Sequence, residues 1–202
     1  GSEVTGLICV VTDLRAPDAC PTVASQAGVT VSIVDTAATT TSGADGRFTL
    51  PVSAASVVLD AGAGSATFER SLVPATVGGL VIETPVVTQA AYAAVIDSLT
   101  TVVPDGNGTV VVYVKDGTSP APGVAFAMVA GSSVAPYYDD GGATAWTQSG
   151  GTGAAGLALL VDVPAGNVTL DGVAADSRVA QASVPVLADA ITFVEIALVA
   201  PP

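Results

Sequence analysis

The least generic stretch of the chain is Pro136-Tyr137-Tyr138-Asp139-Asp140-Gly141-Gly142, followed by Trp146, the only tryptophan. Aromatic faces of this kind stack on sugar rings, and Asp139 with Asp140 present hard oxygens of the sort that ligate Ca²⁺. The alternative is structural, with Tyr137, Tyr138 and Trp146 covering one end of a core while Asp-Asp-Gly-Gly makes a turn. Cys9 and Cys20 are the only cysteines. The short, proline-containing segment between them suits a disulfide, whose closure would stabilise the fold by roughly 3 kcal/mol in the chain-entropy model. The competing state is two buried thiols. Leu7-Ile8 ahead of Cys9 lacks the small residue that lipid attachment needs, and two cysteines without histidine make a poor metal site.

Catalysis has little to work with. The chain contains no histidine, which removes Ser-His-Asp triads, Cys-His pairs and histidine-ligated zinc, iron or copper. Paired carboxylates of the glycosidase kind are left open by residue counting alone. The expectation is a protein that is not an enzyme and needs no cofactor, calcium at Asp139 and Asp140 being the one candidate ligand ion.

Composition narrows the partners. Eighteen carboxylates face five basic residues for a net charge of −13, a field that repels phosphate backbones and anionic membranes. Mean hydropathy is high at +0.66, yet no run of about 20 apolar residues is present, so no membrane span is expected. The apolar half of the chain is mostly alanine and valine, aromatics making up only 4%, and β-branched side chains pack well on pleated surfaces. With 22 glycines and 13 prolines interrupting it, the chain reads as many short strands. It opens Gly1-Ser2 without an export leader, which is expected to have been removed. The expected disulfide implies an oxidising compartment, extracellular or on a cell surface, and a bacterial source is expected.

The elements that must carry these residues recur. Thr5 to Asp13 reads as a strand, and Gly28 to Asp35 alternates Val29, Val31 and Ile33 with polar residues, burying one face. A turn at 43–46 leads to Arg47-Phe48-Thr49-Leu50, and further strands follow toward Val87. The second half repeats the order with Gly108 to Asp116, Gly123 to Val129, a turn at 153–156, Leu157 to Val161, and strands ending at Val199. Between the halves Thr88 caps a helix whose Tyr92, Val95, Ile96 and Leu99 form one apolar stripe. That helix is expected to pack between or against the modules. Pro104-Asp105-Gly106-Asn107-Gly108 is a turn. Asn-x-Thr sequons stand at Asn107 and Asn167.

Each half resembles the carboxypeptidase regulatory-like and Cna protein B-type domains, transthyretin-like members of the immunoglobulin-like sandwiches. The resemblance rests on Val10-Val11-Thr12-Asp13, Ala27-Gly28-Val29-Thr30-Val31 and Thr41-Ser42-Gly43-Ala44-Asp45-Gly46-Arg47-Phe48 in the first half. In the second it rests on Val112-Tyr113-Val114-Lys115-Asp116, Pro122-Gly123-Val124-Ala125-Phe126, Thr152-Gly153-Ala154-Ala155-Gly156 and Pro164-Ala165-Gly166. It implies an all-β fold of two tandem immunoglobulin-like (prealbumin-like) seven-stranded β-sandwiches with one short interdomain helix. The modules run 4–87 and 108–200, with helix and linker at 88–107. The implied role is non-enzymatic, a structural or adhesive module of a secreted or cell-surface protein with an unknown protein or glycan partner. Two alternatives stand beside it: a carbohydrate- or calcium-binding module using the 136–146 loop, and a self-associating subunit of a surface assembly or fibre. Cna-type domains can carry an internal Lys–Asn bond. Here the only lysine, Lys115, abuts Asp116 where the family has an intervening residue, and the last strand contains no asparagine.

Overall fold

The computed structural model describes residues 2–16, 26–99, 101–140 and 145–201. They divide into two compact units, Gly1–Val95 and Ile96–Pro202, and the secondary structure is strand throughout except for one α-helix.

The first unit holds seven strands among the described residues: β1 (Ser2–Val11), β2 (Thr30–Ile33), β3 (Thr39–Thr41), β4 (Arg47–Val52), β5 (Ser56–Ala61), β6 (Arg70–Thr76) and β7 (Val81–Val87). β1 lies between β4, antiparallel, and β7, parallel. The remaining strands follow one another in the order β6-β5-β2-β3, each pair antiparallel. The alternation expected for β2 is present, Val31 and Ile33 being buried and Thr30 exposed. On β4, Phe48 and Leu50 are buried while Arg47, Thr49 and Pro51 are exposed. Gly6 sits opposite Phe48. A Cβ on Gly6 would lie 2.1 Å from the Phe48 ring, so the ring needs glycine beneath it.

Among the described residues the second unit has nine strand segments, more than the seven or so expected: β8 (Asn107–Asp116), β9 (Ser119–Pro120), β10 (Ala125–Phe126), β11 (Tyr137–Asp139), β12 (Trp146–Thr147), β13 (Leu157–Pro164), β14 (Gly166–Val173), β15 (Val179–Val186) and β16 (Ala190–Ala197). β8 lies between β13, antiparallel, and β16, parallel, as β1 does between β4 and β7. β10-β14-β15 form an antiparallel sheet. The added strands are short ones, β9 pairing with β8 and β12-β11 extending the sheet beyond β13. Val110, Val112, Val114, Ala158, Leu160 and Ile196 pack with Phe126, Leu170, Val184 and Val186 from β10, β14 and β15 in one core.

The helix α1 spans Gln89–Ser98. Thr88 caps it as expected: its Oγ1 accepts from the Ala91 N–H at 3.2 Å, and its carbonyl accepts from the Tyr92 N–H at 3.0 Å. Tyr92, Val95 and Ile96 are half-buried and Leu99 is buried, whereas Ala93, Ala94, Asp97 and Ser98 are exposed. The apolar stripe read from the spacing is therefore the covered one. The turn into β8 is type II, with the Asn107 N–H donating to the Pro104 carbonyl at 3.1 Å and Gly106 at φ 90°.

Candidate functional site

The described residues of the 136–146 segment are largely strand. Tyr137–Asp139 and Trp146–Thr147 are strands that pair with each other, Asp139 opposite Trp146 and Tyr138 opposite Thr147. Residues 141–144 lie outside the described residues. Tyr137 and Tyr138 continue the sheet against Leu159 and Ala158 of β13. Successive side chains on a strand point to opposite faces, and this separates the residues that the sequence had grouped.

Tyr138 points into the core of the second unit. Its hydroxyl accepts from the Phe126 N–H at 2.8 Å and donates to the Phe126 carbonyl at 3.3 Å. Burial raises its pKa above the ordinary phenol value, partly offset by its bonding to the Phe126 backbone. Tyr137 is half-buried on the other face and donates its hydroxyl to the Leu99 carbonyl at 3.3 Å.

Asp139 is only 2% exposed. Its carboxylate accepts three backbone N–H groups, from Gly153 (2.8 Å), Ala155 (2.9 Å) and Leu157 (2.9 Å). It therefore caps the 153–157 turn, its oxygens turned toward donors rather than toward a cation. Asp140, just past the end of β11, is exposed, so the two neighbouring carboxylates have different surroundings. Among the described residues no three of His, Cys, Asp and Glu converge as metal ligands. Trp146 is half-buried opposite Asp139.

The turn that Asp139 holds belongs to a hydrogen-bonded latch that occurs in both units. In the second unit Thr152 Oγ1 accepts from the Val124 N–H (2.9 Å) and donates to the Ala121 carbonyl (2.7 Å). In the first, Ser42 Oγ accepts from the Val29 N–H (3.0 Å) and donates to the Gln26 carbonyl. The backbones repeat the match. Gly123 N–H donates to Thr152 O and Thr152 N–H to Val124 O, as Gly28 N–H donates to Ser42 O and Ser42 N–H to Val29 O. Gly156 carbonyl then accepts from Val114 of β8, as Gly46 carbonyl accepts from Ile8 of β1. Gly46 and Gly156 both need glycine, at φ 74° and 70°, and a Cβ on Gly156 would come within 2.7 Å of the Val114 carbonyl.

This correspondence yields a paired prediction. Ser42→Ala and Thr152→Val each remove a buried hydroxyl that both accepts and donates, and each is expected to cost about 1–2 kcal/mol. Thr152→Ser should retain most of the stability, and urea unfolding of the variants checks both statements.

A second buried carboxylate, Asp162, sits in a bulge of β13 between Leu160 and Val163 at φ 60°, a left-handed conformation that Asp tolerates. Oδ2 accepts from the Ser133 hydroxyl (2.6 Å) and the Ser133 N–H (2.8 Å), while Oδ1 accepts from the Asn107 side-chain amide (2.6 Å). The Ser133 hydroxyl, then the Ser133 backbone, hold its pKa below the usual carboxylate value against the opposing effect of burial, and Asn107 adds to the lowering. A depressed native pKa contributes stability above the unfolded value near pH 4, and that contribution disappears as pH falls through the native value. The stability difference between wild type and Asp162→Asn should therefore shrink below about pH 4, as denaturant midpoints across pH will show.

The remaining sequence candidates are dispersed. Cys9 is buried on β1, and no free thiol is present among the described residues; Cys20 lies outside them. The Lys115 ammonium is 2.7 Å from Glu195 and 4.7 Å from the Tyr113 ring centre, the place of a surface lysine at a strand end. The amide of the Asn107 sequon is the one held by Asp162, whereas Asn167 is exposed on β14. A pocket of about 470 Å³ lies away from the aromatic residues, lined in part by Pro120, Pro122 and Ala174. Arg178 on its wall is bound to Asp116 and Asp176, both at 2.8 Å.

No protein-family model matches the chain, and no curated protein matches it. Solved structures similar to it include the minor pilin GBS52 of Streptococcus agalactiae, at 12% identity over 100% of this chain and 98% of that one, with a TM-score of 0.27. A shaft pilin, SpaA from Lactobacillus rhamnosus GG, is similar at 13% identity over 100% and 99%, with a TM-score of 0.27. A cohesin–X–dockerin complex from Acetivibrio cellulolyticus is similar at 24% identity over 45% of this chain, with a TM-score of 0.28; the match spans about half of that chain, 54%. At this level of similarity the functional reading rests on the geometry of the chain itself.

Proposed function

We propose that the chain is two tandem copies of one prealbumin-like sandwich module, residues 4–87 and 108–200 joined through 88–107, acting as a non-enzymatic structural or adhesive module of a secreted or cell-surface protein. The observation that carries this reading is where the distinctive polar side chains are spent. Tyr138, Asp139, Thr152, Ser42 and Asp162 all bond to the chain's own backbone or to its neighbouring side chains. The duplicated latch supports two copies of one module, and the absence of histidine from the sequence supports a role without acid–base chemistry near neutral pH. The partner on this reading is a protein, a glycan or a second copy of the chain.

A Cys9–Cys20 disulfide is part of the proposal. It would tie β1 to the segment that follows it and would suit an oxidising compartment. Alkylation of the unreduced protein should leave its intact mass unchanged, and a gain at two thiols would remove the disulfide from the proposal.

Trp146 is the sole tryptophan, so selectively excited tryptophan emission reports on the β11–β12 pair. Ca²⁺ and a glycan panel are expected to leave its emission unmoved. A saturable shift with either would overturn the structural reading in favour of a ligand site there.

A further inference from the structure

We propose that each unit is a shear clamp, built to resist being pulled out along the chain. This rests on the reading of the protein as a structural module, and it names the load that such a module carries. In the first unit β1 and β7 are parallel over seven consecutive pairs, from Thr5 beside Val81 to Val11 beside Val87. In the second, β8 and β16 are parallel over seven pairs, from Thr109 beside Ile191 to Lys115 beside Ala197. These are the first and last strands of each unit.

The consequence follows from direction. A force that enters ahead of Thr5 and leaves after Val87 draws two parallel neighbours in opposite senses along their length. The ladder bonds between them are evenly spaced in a parallel pair and take the load together, instead of opening one after another as in a hairpin pulled at its open end. Val86, Val87, Val110, Val111, Val112 and Ile191 on these strands are at most 1% exposed, so water does not readily replace a stretched bond.

The exit of the second unit is fastened further. Leu198 N–H donates to the Lys115 carbonyl at 2.7 Å, and Val199 exchanges two bonds with Val179 of β15, at 2.8 and 2.9 Å. The Lys115–Glu195 ion pair bridges the same two strands. Each of these contacts must break before β16 slides past β8.

The test compares two directions of pull on one fold. In the chain carrying both units, bio-orthogonal handles at Asp105 and Pro201 load β8 against β16 in shear. Handles at Asp105 and Ala188 flank the adjacent starts of the same strands, where the Asp189 N–H donates to the Asn107 carbonyl at 3.0 Å, and so peel them apart. Single-molecule unfolding is expected to need a severalfold higher force in the first geometry than in the second. Denaturant unfolding has no direction, so its rate should be the same for both handle-bearing proteins. Equal forces in the two geometries would overturn the clamp. That outcome is distinguishable from failure of the structural reading itself, which Trp146 emission tests without any load.

Discussion

Asp139→Ala is expected to destabilise the protein by about 3 kcal/mol or more, because three N–H groups lose a charged acceptor at a buried site. The Leu157 donor is buried with Asp139 and has no water to turn to, whereas the Gly153 and Ala155 donors are half-buried. Asp139→Asn keeps the shape but exchanges one oxygen for an NH₂ that faces donors, so it should recover only part of the loss. The effect should extend beyond β11: the turn it caps also carries Thr152 and presents the Gly156 carbonyl to β8. Urea unfolding gives the magnitude. Hydrogen exchange at Val114 and Val124 should show whether the latch opens with the cap.

The second large effect concerns the ion pair of the first unit. The Asp60 side chain is 6% exposed and meets Arg70 in a forked contact, Nε at 3.1 Å from both carboxylate oxygens and Nη2 at 2.6 Å from Oδ2. Asp60 holds the Arg70 guanidinium pKa above its ordinary value, against the opposing effect of burial. Arg70→Met keeps much of the aliphatic stem and strands the Asp60 charge. We expect a loss of about 2–3 kcal/mol, somewhat below the cost of breaking a fully enclosed pair because the Arg70 side chain is partly in water. Replacing both partners, Asp60→Val with Arg70→Met, should recover most of that loss, since an apolar pair needs no compensation for desolvation. A double variant no better than the single one would show that the arginine matters through its packing and not through the charge it neutralises.

The landmarks common to the two halves were legible because they are written in residues with few substitutes. Gly28 and Gly123, and Gly46 and Gly156, sit at positive φ where other residues are strained, so the same landmarks recur although the strands between them differ. The Thr88 cap and the helical stripe were legible because capping and periodicity are local. The strands the sequence concealed are those lacking an apolar rhythm. β3 is Thr39-Thr40-Thr41, with no buried residue. β11 and β12 are too short for alternation to register, and their glycine-rich connection reads as a loop.

The candidate site was harder to read, for a physical reason. Asp139 finds its partners at Gly153, Ala155 and Leu157, which no local pattern links to it, while Asp140 lies just past the end of β11. A carboxylate pair adjacent in sequence looks like a chelate and becomes, at a strand end, one buried cap and one exposed charge. The hydroxyls of Ser42 and Thr152 stood in view at the start of matching turns, yet their bonds back to Gln26 and Ala121 depend on the sandwich being closed. Asp162 was hidden by its surroundings: Leu157–Pro164 is apolar on both faces, so nothing marks the bulge that lets the carboxylate reach Ser133 and Asn107.

That the two units are copies of one module held by the same latch is tested most directly by native-state hydrogen exchange at four amides. The N–H groups of Val29 and Val124 are bound by the latch hydroxyls, and those of Ile8 and Val114 by the turn carbonyls. All four are expected to exchange only through global opening of their unit, with Val29 matching Ile8 and Val124 matching Val114. Rapid exchange at Val29 or Val124 while Ile8 and Val114 remain protected would contradict the shared latch and the duplication built on it.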